Sequence, residues 1–383
     1  MKDKAFRFVE ENRQAMIELW RELVSMESGS ADKAGVDAVA LRLKQFLDSA
    51  GGTTKLIEME TAGNMLVGEI GAGRAKPGIL FVGHMDTVFP AGTIAKRPFT
   101  IKDGTAYGPG VLDMKGGIVA FLYAIMALKA AGYDARPLKV VLAGDEEVGH
   151  AHSDAAGHIM HEARGCVAAF NCETGFVDDG IVLGRKGTAE FTLEVKGVAV
   201  HAGNEPQNGR SAILEIAHKV IEIQKMTDYD RGITFNVGVI QGGTVKNAVP
   251  DYAKILVDIR YQDPGQLGKI KAMVDKVAAK THIDGTSTTY SFSDGIAPMQ
   301  TTPASKALFE IVRQAYEENG FGRPYEHFVG GGSDSAFTVL AGVPTVCAMG
   351  VKGGRNHSAQ EYAVVETLFE RAKLLVDCVL RLD

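Results

Sequence analysis

Residues 79–87 read Ile79-Leu80-Phe81-Val82-Gly83-His84-Met85-Asp86-Thr87. The first four are apolar and β-forming, and a short run of this kind predicts a strand buried on both faces, as in a parallel sheet. His84 and Asp86 stand two residues apart where that strand should end. In extended chain such residues point the same way, so an imidazole and a carboxylate address one spot. Two readings are open. One is a buried histidine satisfied by its neighbour. The other is a metal ligand whose second ring N–H is held by a carboxylate. The rest of the chain decides between them.

Two further apolar runs end in acids. Val140-Val141-Leu142-Ala143 leads through Gly144 into Asp145-Glu146-Glu147, and Val167-Ala168-Ala169-Phe170 leads into Asn171-Cys172-Glu173. A fourth run, Pro344 to Met349, is followed by Arg355-Asn356-His357-Ser358. In open α/β sheets, ligands gather outside the carboxyl ends of the strands. Several carboxylates meeting there would repel one another and rise in pKa unless a cation held them. Two imidazoles with several carboxylates suit zinc best, with manganese or cobalt as alternatives. The number of ligands suggests two metals sharing a bridging carboxylate. His150, His152, His158 and His161 follow the glutamate pair and read as surface helix or loop residues.

The helices of this larger domain show in the spacing. Phe6, Val9, Ile17, Trp20, Leu23 and Val24 predict a helical stretch over 3–27. A second helix over 36–49 ends at Gly51-Gly52. Residues 88–112 are rich in glycine and proline. After Val111-Leu112-Asp113-Met114-Lys115-Gly116-Gly117, a helix begins with the buried stripe Ile118, Phe121, Leu122, Ile125 and Leu128. Beyond Arg185-Lys186-Gly187 the pattern becomes alternating, as in strands with one wet face. The order over 188–295 is β-α-β-β-α-β, a ferredoxin-like split unit. The expected fold is therefore α/β. Residues 1–187 and 296–383 form a discontinuous domain with a mixed, largely parallel sheet between helices, and 188–295 form an inserted α+β domain.

Composition narrows the function. The chain has 383 residues, 45% hydrophobic and 23% charged, an ordinary globular profile, and its formal charge is 41 − 47 = −6. No basic stripe is present, so nucleic acid is not an expected partner. No apolar run approaches bilayer length and the first residues lead into an amphipathic helical pattern, so neither a membrane nor a signal peptide is expected. Cys166, Cys172, Cys347 and Cys378 form no CxxC pair and read as reduced thiols in a cytoplasmic protein.

Six motifs together carry a resemblance. Gly83-His84-Met85-Asp86, Gly108-Pro109-Gly110-x-x-Asp113-Met114-Lys115-Gly116-Gly117, Asp145-Glu146-Glu147-x-Gly149, Cys172-Glu173, His201-Ala202-Gly203 and Asn356-His357 resemble the M20 family of zinc aminoacylases and carboxypeptidases. The Gly-Pro-Gly before Asp113 is similar to the glutamate carboxypeptidase branch. The resemblance implies a zinc-exopeptidase-like catalytic domain with an inserted dimerisation (lid) domain. It implies two Zn²⁺ per chain (Co²⁺ or Mn²⁺ as alternatives), one held by His84, Asp113 and Glu173, the other by Asp113, Glu147 and His357. Glu146 would be the general base and acid, and Asp86 would orient His84. It further implies a cis peptide after Asp113, and substrate contacts from Arg260, Asn247 and the Gly331-Gly332-Ser333 turn. Arg260 reads equally as half of a surface ion pair.

His201 lies in the inserted domain, and spacing alone makes it an ordinary polar loop residue. By the resemblance it would reach the active site of a partner subunit in a homodimer. The function this implies is release of a C-terminal amino acid, glutamate among the candidates, from a small peptide or an N-acyl amino acid. The rivals are a deacylase, a desuccinylase or a dipeptidase, and, outside enzymes, a binding module that kept the fold.

Overall fold

The computed structural model describes residues 1–383, and the chain divides into two compact units. The first comprises Met1–Gly184, Thr301–Val329 and Ser333–Asp383, and the second Arg185–Gln300 with Gly330–Gly332.

The first unit is built on a six-stranded mixed sheet. Its strands in spatial order are Thr53–Ile57, Met65–Ile70, Leu138–Ala143, Ile79–His84, Ala168–Asn171 and Thr345–Val346. Ile79–His84 runs parallel to both of its neighbours, and Thr345–Val346 runs parallel to Ala168–Asn171. Thr53–Ile57 and Met65–Ile70 are added antiparallel. The parallel strands consequently open at one edge, carrying His84, the Glu146–Glu147 turn and Glu173 to it. Every residue of Ile79–His84 is buried, as its unbroken apolar run requires. Phe81 anchors the sheet, with Phe121 and Phe170 stacked on it at 5.7 and 5.9 Å.

Helix Gly116–Ala131 runs through the core, and Phe121, Leu122, Ile125 and Leu128 are fully buried. With its lead-in, Val111–Ala131 is long and apolar enough to cross a membrane by length and composition alone. This corrects the expectation that no apolar run approaches that length. Its surface is almost wholly covered by protein, as in a core helix. The expected helix over 3–27 is two helices, Lys2–Glu11 and Arg13–Val24. Asn12 breaks them: its backbone leaves the helical region and its Nδ2 donates to the Phe8 carbonyl at 2.8 Å. Trp20 on the second helix is fully buried and donates to the Val111 carbonyl at 3.0 Å, beside the turn that carries Asp113.

The second unit holds a four-stranded antiparallel sheet in the order Thr234–Gly242, Tyr252–Tyr261, Gly187–Lys196, Ser287–Asp294. That is the ferredoxin-like arrangement, with helices Ala212–Gln224 and Leu267–Ala279 in the crossovers. Phe191, Leu193, Ile255, Val257 and Ile259 alternate inward and are buried with Ile216, Ile270 and Val274 from the helices.

Candidate metal centre

Strand ends deliver most of the centre. His84 closes its strand, Glu146 and Glu147 open a single 3-10 turn after Leu138–Ala143, and Glu173 lies two residues past Ala168–Asn171. Asp113 sits in the turn Val111–Lys115 ahead of the core helix, and its peptide bond to Met114 is cis. Gly117 lets that helix start hard against the Glu173 strand: a Cβ there would lie 1.8 Å from the Cys172 carbonyl oxygen.

The two oxygens of Asp113 face different histidines. Oδ1 lies 3.2 Å from His84 Nε2, and Oδ2 lies 3.1 Å from His357 Nε2. Glu173 Oε1 is 3.5 Å from His84 Nε2, and Glu147 Oε2 is 3.1 Å from His357 Nε2. The donor atoms of His84, Asp113 and Glu173 lie within 4.8 Å of one another, as do those of Asp113, Glu147 and His357. His84, Asp113 and Glu173 are buried, whereas the His357 side chain is 51% exposed. Asn356 Nδ2 donates to Asp113 Oδ2 at 3.1 Å.

Asp86 is fully buried behind the centre. Its Oδ1 lies 3.3 Å from His84 Nδ1, and its two oxygens accept the backbone N–H groups of Glu146 and Glu147 at 3.1 and 3.2 Å. Ser30 Oγ donates to it at 2.6 Å. One carboxylate therefore orients the imidazole and holds the glutamate turn. Glu146 points toward the same space, with Oε2 3.9 Å from His84 Nε2, and belongs to neither donor cluster.

These residues fit divalent cations. Where lone pairs face one another at 3.1–3.5 Å, protons or cations must lie between them. Hydrogen bonding to Asp113 and Glu147 pushes the His357 imidazolium up to about 11. Burial pushes the Glu147 carboxyl up to about 7, and its Oε1 is buried with no hydrogen-bond partner. Burial also raises the Glu146 carboxyl well above its usual range, with Glu173, Asp334 and Glu147 adding to the rise and His84 opposing it.

Three supporting residues gave no signal in the sequence. Glu361 is fully buried, and its carboxylate accepts the backbone N–H groups of Gly110, Leu112 and Asp113 at 3.1, 2.8 and 3.0 Å. It fixes the turn that presents Asp113. Glu361→Ala would leave three buried donors without an acceptor, each costing about 1–3 kcal/mol less whatever water recovers. Thermal or denaturant unfolding should show a loss of at least about 2 kcal/mol. An unchanged midpoint would show that this carboxylate does not hold the turn.

Arg185 is the second: its Nη1 donates to the carbonyls of Gly331 and Gly332, both at 3.2 Å. His150 is the third, and it corrects the expectation of a surface residue. It is 7% exposed, between Asp145 and Asp334, because the turn after Glu147 folds it inward. His152 is exposed, as expected.

The remaining expected residues fall as follows. His201 is exposed in the second unit, its Nδ1 accepting from the Gly203 N–H at 3.1 Å. Asn247 lies beside it, its carbonyl accepting from Ala202 N at 2.9 Å. Arg260 Nε donates to Asp258 Oδ2 at 3.0 Å, the ion-pair arrangement. Ser333 belongs to the turn expected to offer backbone N–H groups to substrate. It is fully buried in the first unit and its hydroxyl accepts from Asn171 Nδ2 at 3.0 Å, so the side chain is committed inside the protein.

Fold and site together define the class: a hydrolytic enzyme, a metallopeptidase or amidohydrolase that works with metal ions. The model of Peptidase family M20/M25/M40 matches residues 80–381, and the chain belongs to that family. It is similar to carboxypeptidase G2 of Pseudomonas sp. (strain RS-16), 29% identical over 97% of this chain and 91% of the relative. It is also similar to succinyl-diaminopimelate desuccinylase of Stenotrophomonas maltophilia (strain R551-3), 28% identical over 92% of this chain and 95% of that one. Among solved structures, a tripeptidase from Staphylococcus aureus matches with a TM-score of 0.81 at 22% identity, covering 96% of this chain and 98% of the other. That likeness speaks to the fold.

Proposed function

We propose that this chain is a two-metal amidohydrolase that releases a C-terminal amino acid from a small peptide or an N-acyl amino acid. The observation that carries the reading is Asp113, whose two oxygens are divided between two histidine–carboxylate sets while Glu146 stands beside them outside both. His84, Asp113 and Glu173 would hold one ion and Asp113, Glu147 and His357 the other. Zinc suits the donor set, with cobalt or manganese as alternatives. When bound, such a pair polarises an amide carbonyl and lowers the pKa of a water. Glu146 would accept a proton at its carboxylate and return it to the leaving amine. Asp86 would keep His84 in the orientation and tautomer that leave Nε2 free.

Substrate binding falls to Arg260, Asn247 and the backbone of Gly331 and Gly332. A guanidinium can take a C-terminal carboxylate bidentately. Glutamate comes first among the leaving amino acids, by the resemblance to the glutamate carboxypeptidase branch. The similarity to a desuccinylase favours a second reading, removal of an acyl group from an amino acid. We further place the enzyme in the cytoplasm, where its four free cysteines would stay reduced.

A homodimer through the second unit is part of this reading. The edge strand Thr234–Gly242 leaves Val239 and Ile240 41% and 58% exposed, and helix Ala212–Gln224 leaves Leu214 and Ile221 49% and 55% exposed. An unpaired edge beside an apolar face supports pairing across a two-fold axis.

The test joins metal content to turnover. Elemental analysis of protein incubated with zinc, cobalt or manganese should find two ions per chain, and chelation should abolish hydrolysis. A panel varying acyl groups and leaving amino acids independently separates a carboxypeptidase from a deacylase. Failure to take up any of the three metals would overturn the reading.

A further inference from the structure

We infer that His150 is a positioning residue that clamps the turn bearing Glu146 to the chain that leaves the Gly330–Gly332 turn, through Asp145 on one side and Asp334 on the other. His150 Nδ1 lies 2.9 Å from Asp145 Oδ1, and Nε2 lies 2.6 Å from Asp334 Oδ1. The His150 side chain is 3% exposed and those of both aspartates 1%. All three belong to the first unit. Ser153 Oγ donates to the same Asp145 oxygen at 2.9 Å, and the Phe337 ring packs 5.6 Å from the imidazole. The His150 N–H closes the turn by donating to the Asp145 carbonyl at 3.1 Å.

The chemistry of the cluster argues for more than filling. Two buried carboxylates each leave one oxygen, Asp145 Oδ2 and Asp334 Oδ2, without a hydrogen-bond partner. Buried charges of one sign are tolerated only when a cation or donor meets them. An imidazole with both nitrogens engaged supplies that at one point and joins segments 184 residues apart. Burial alone would lower the His150 imidazolium, but Asp334 and Asp145 hold it well above its ordinary value. The charge of Asp334 also reaches Glu146, which begins its turn one residue after Asp145. Without His150, an uncompensated carboxylate would face the proton-carrying group, and the turn presenting that group would lose its tie.

The inference rests on the hydrolytic reading for its kinetic arm only. His150→Ala should lower kcat about 10- to 100-fold, the cost of displacing a catalytic group by a fraction of an ångström to an ångström, with KM and metal content unchanged. Asp334→Ala should do the same, and the double variant should be no worse than either single one. Asp334→Asn should restore turnover, because its amide can donate to Nε2 of a neutral His150 while Nδ1–H still reaches Asp145. If His150→Ala does not fold, the Asp334→Asn and Asp334→Ala pair decides.

Unchanged turnover in His150→Ala, multiplying losses, an Asp334→Asn variant as poor as Asp334→Ala, or loss of metal from His150→Ala would each overturn it. Nitrogen-15 NMR of the wild-type protein tests the clamp without any substrate. Two protected, downfield ring N–H protons assigned to His150 are expected, and their absence refutes the clamp. If they are present while nothing on the panel is hydrolysed, the functional reading fails and the clamp stands.

Discussion

Glu146→Gln should leave metal content unchanged and lose turnover by about 10²–10⁴-fold, the worth of a positioned acid–base group. Glu146 lies outside both donor clusters, so removing its charge removes no ligand. Its backbone N–H is held by Asp86 Oδ1 at 3.1 Å, which keeps the side chain aimed at the space beside His84. Burial raises its carboxyl well above the usual range, with Glu173, Asp334 and Glu147 adding to the rise and His84 opposing it. Glu147, its neighbour in sequence, would take the other role, that of a ligand. Glu147 Oε2 lies 3.1 Å from His357 Nε2, so Glu147→Gln should weaken metal binding at the site shared with Asp113 and His357. Elemental analysis and single-turnover rates on the two variants separate these outcomes. An exchange of the two phenotypes would mean that the ligand is Glu146.

The second large effect concerns His201. His201→Ala should lower kcat about 10²–10³-fold if its free ring nitrogen donates to the carbonyl oxygen on which charge develops. In the structure Nδ1 is occupied by the Gly203 N–H, which leaves Nε2 as the atom to reach outward. The reading is that it does so toward the partner subunit's site, so complementation tests it directly. His201→Ala and Glu146→Gln should each be nearly inactive alone. Co-expressed and purified as mixed dimers, they should regain part of the wild-type rate. One site then combines an intact Glu146 with an intact His201 from the other chain. Verified mixed dimers as inactive as either parent would show that His201 does not act across the interface.

What the sequence by itself determined is what local pattern encodes. The unbroken apolar run Ile79–Val82 specifies a strand buried on both faces, and just past the end of the run the structure finds the His84 and Asp86 side chains 3.3 Å apart. Alternation from Phe191 onward specifies one-sided strands, and the β-α-β-β-α-β order specifies their sheet. The edge strand Thr53–Ile57 leaves no mark in the sequence, because no residue in it is buried and no apolar alternation runs through it. The N-terminal stretch with helical spacing is two helices because Asn12 alone, donating from its side chain to the Phe8 carbonyl, divides it.

Tertiary structure decided the rest, beyond the ligand sets that the family resemblance implies. The division of the Asp113 oxygens depends on His84 and His357, 29 and 244 residues away. The inward turn of His150 depends on Asp334, and the hold on the Asp113 turn depends on Glu361. A histidine or a glutamate in a polar loop carries no mark of burial in its neighbours. Its surroundings come from segments that meet only when the chain is folded, and burial among charges is what makes its position matter.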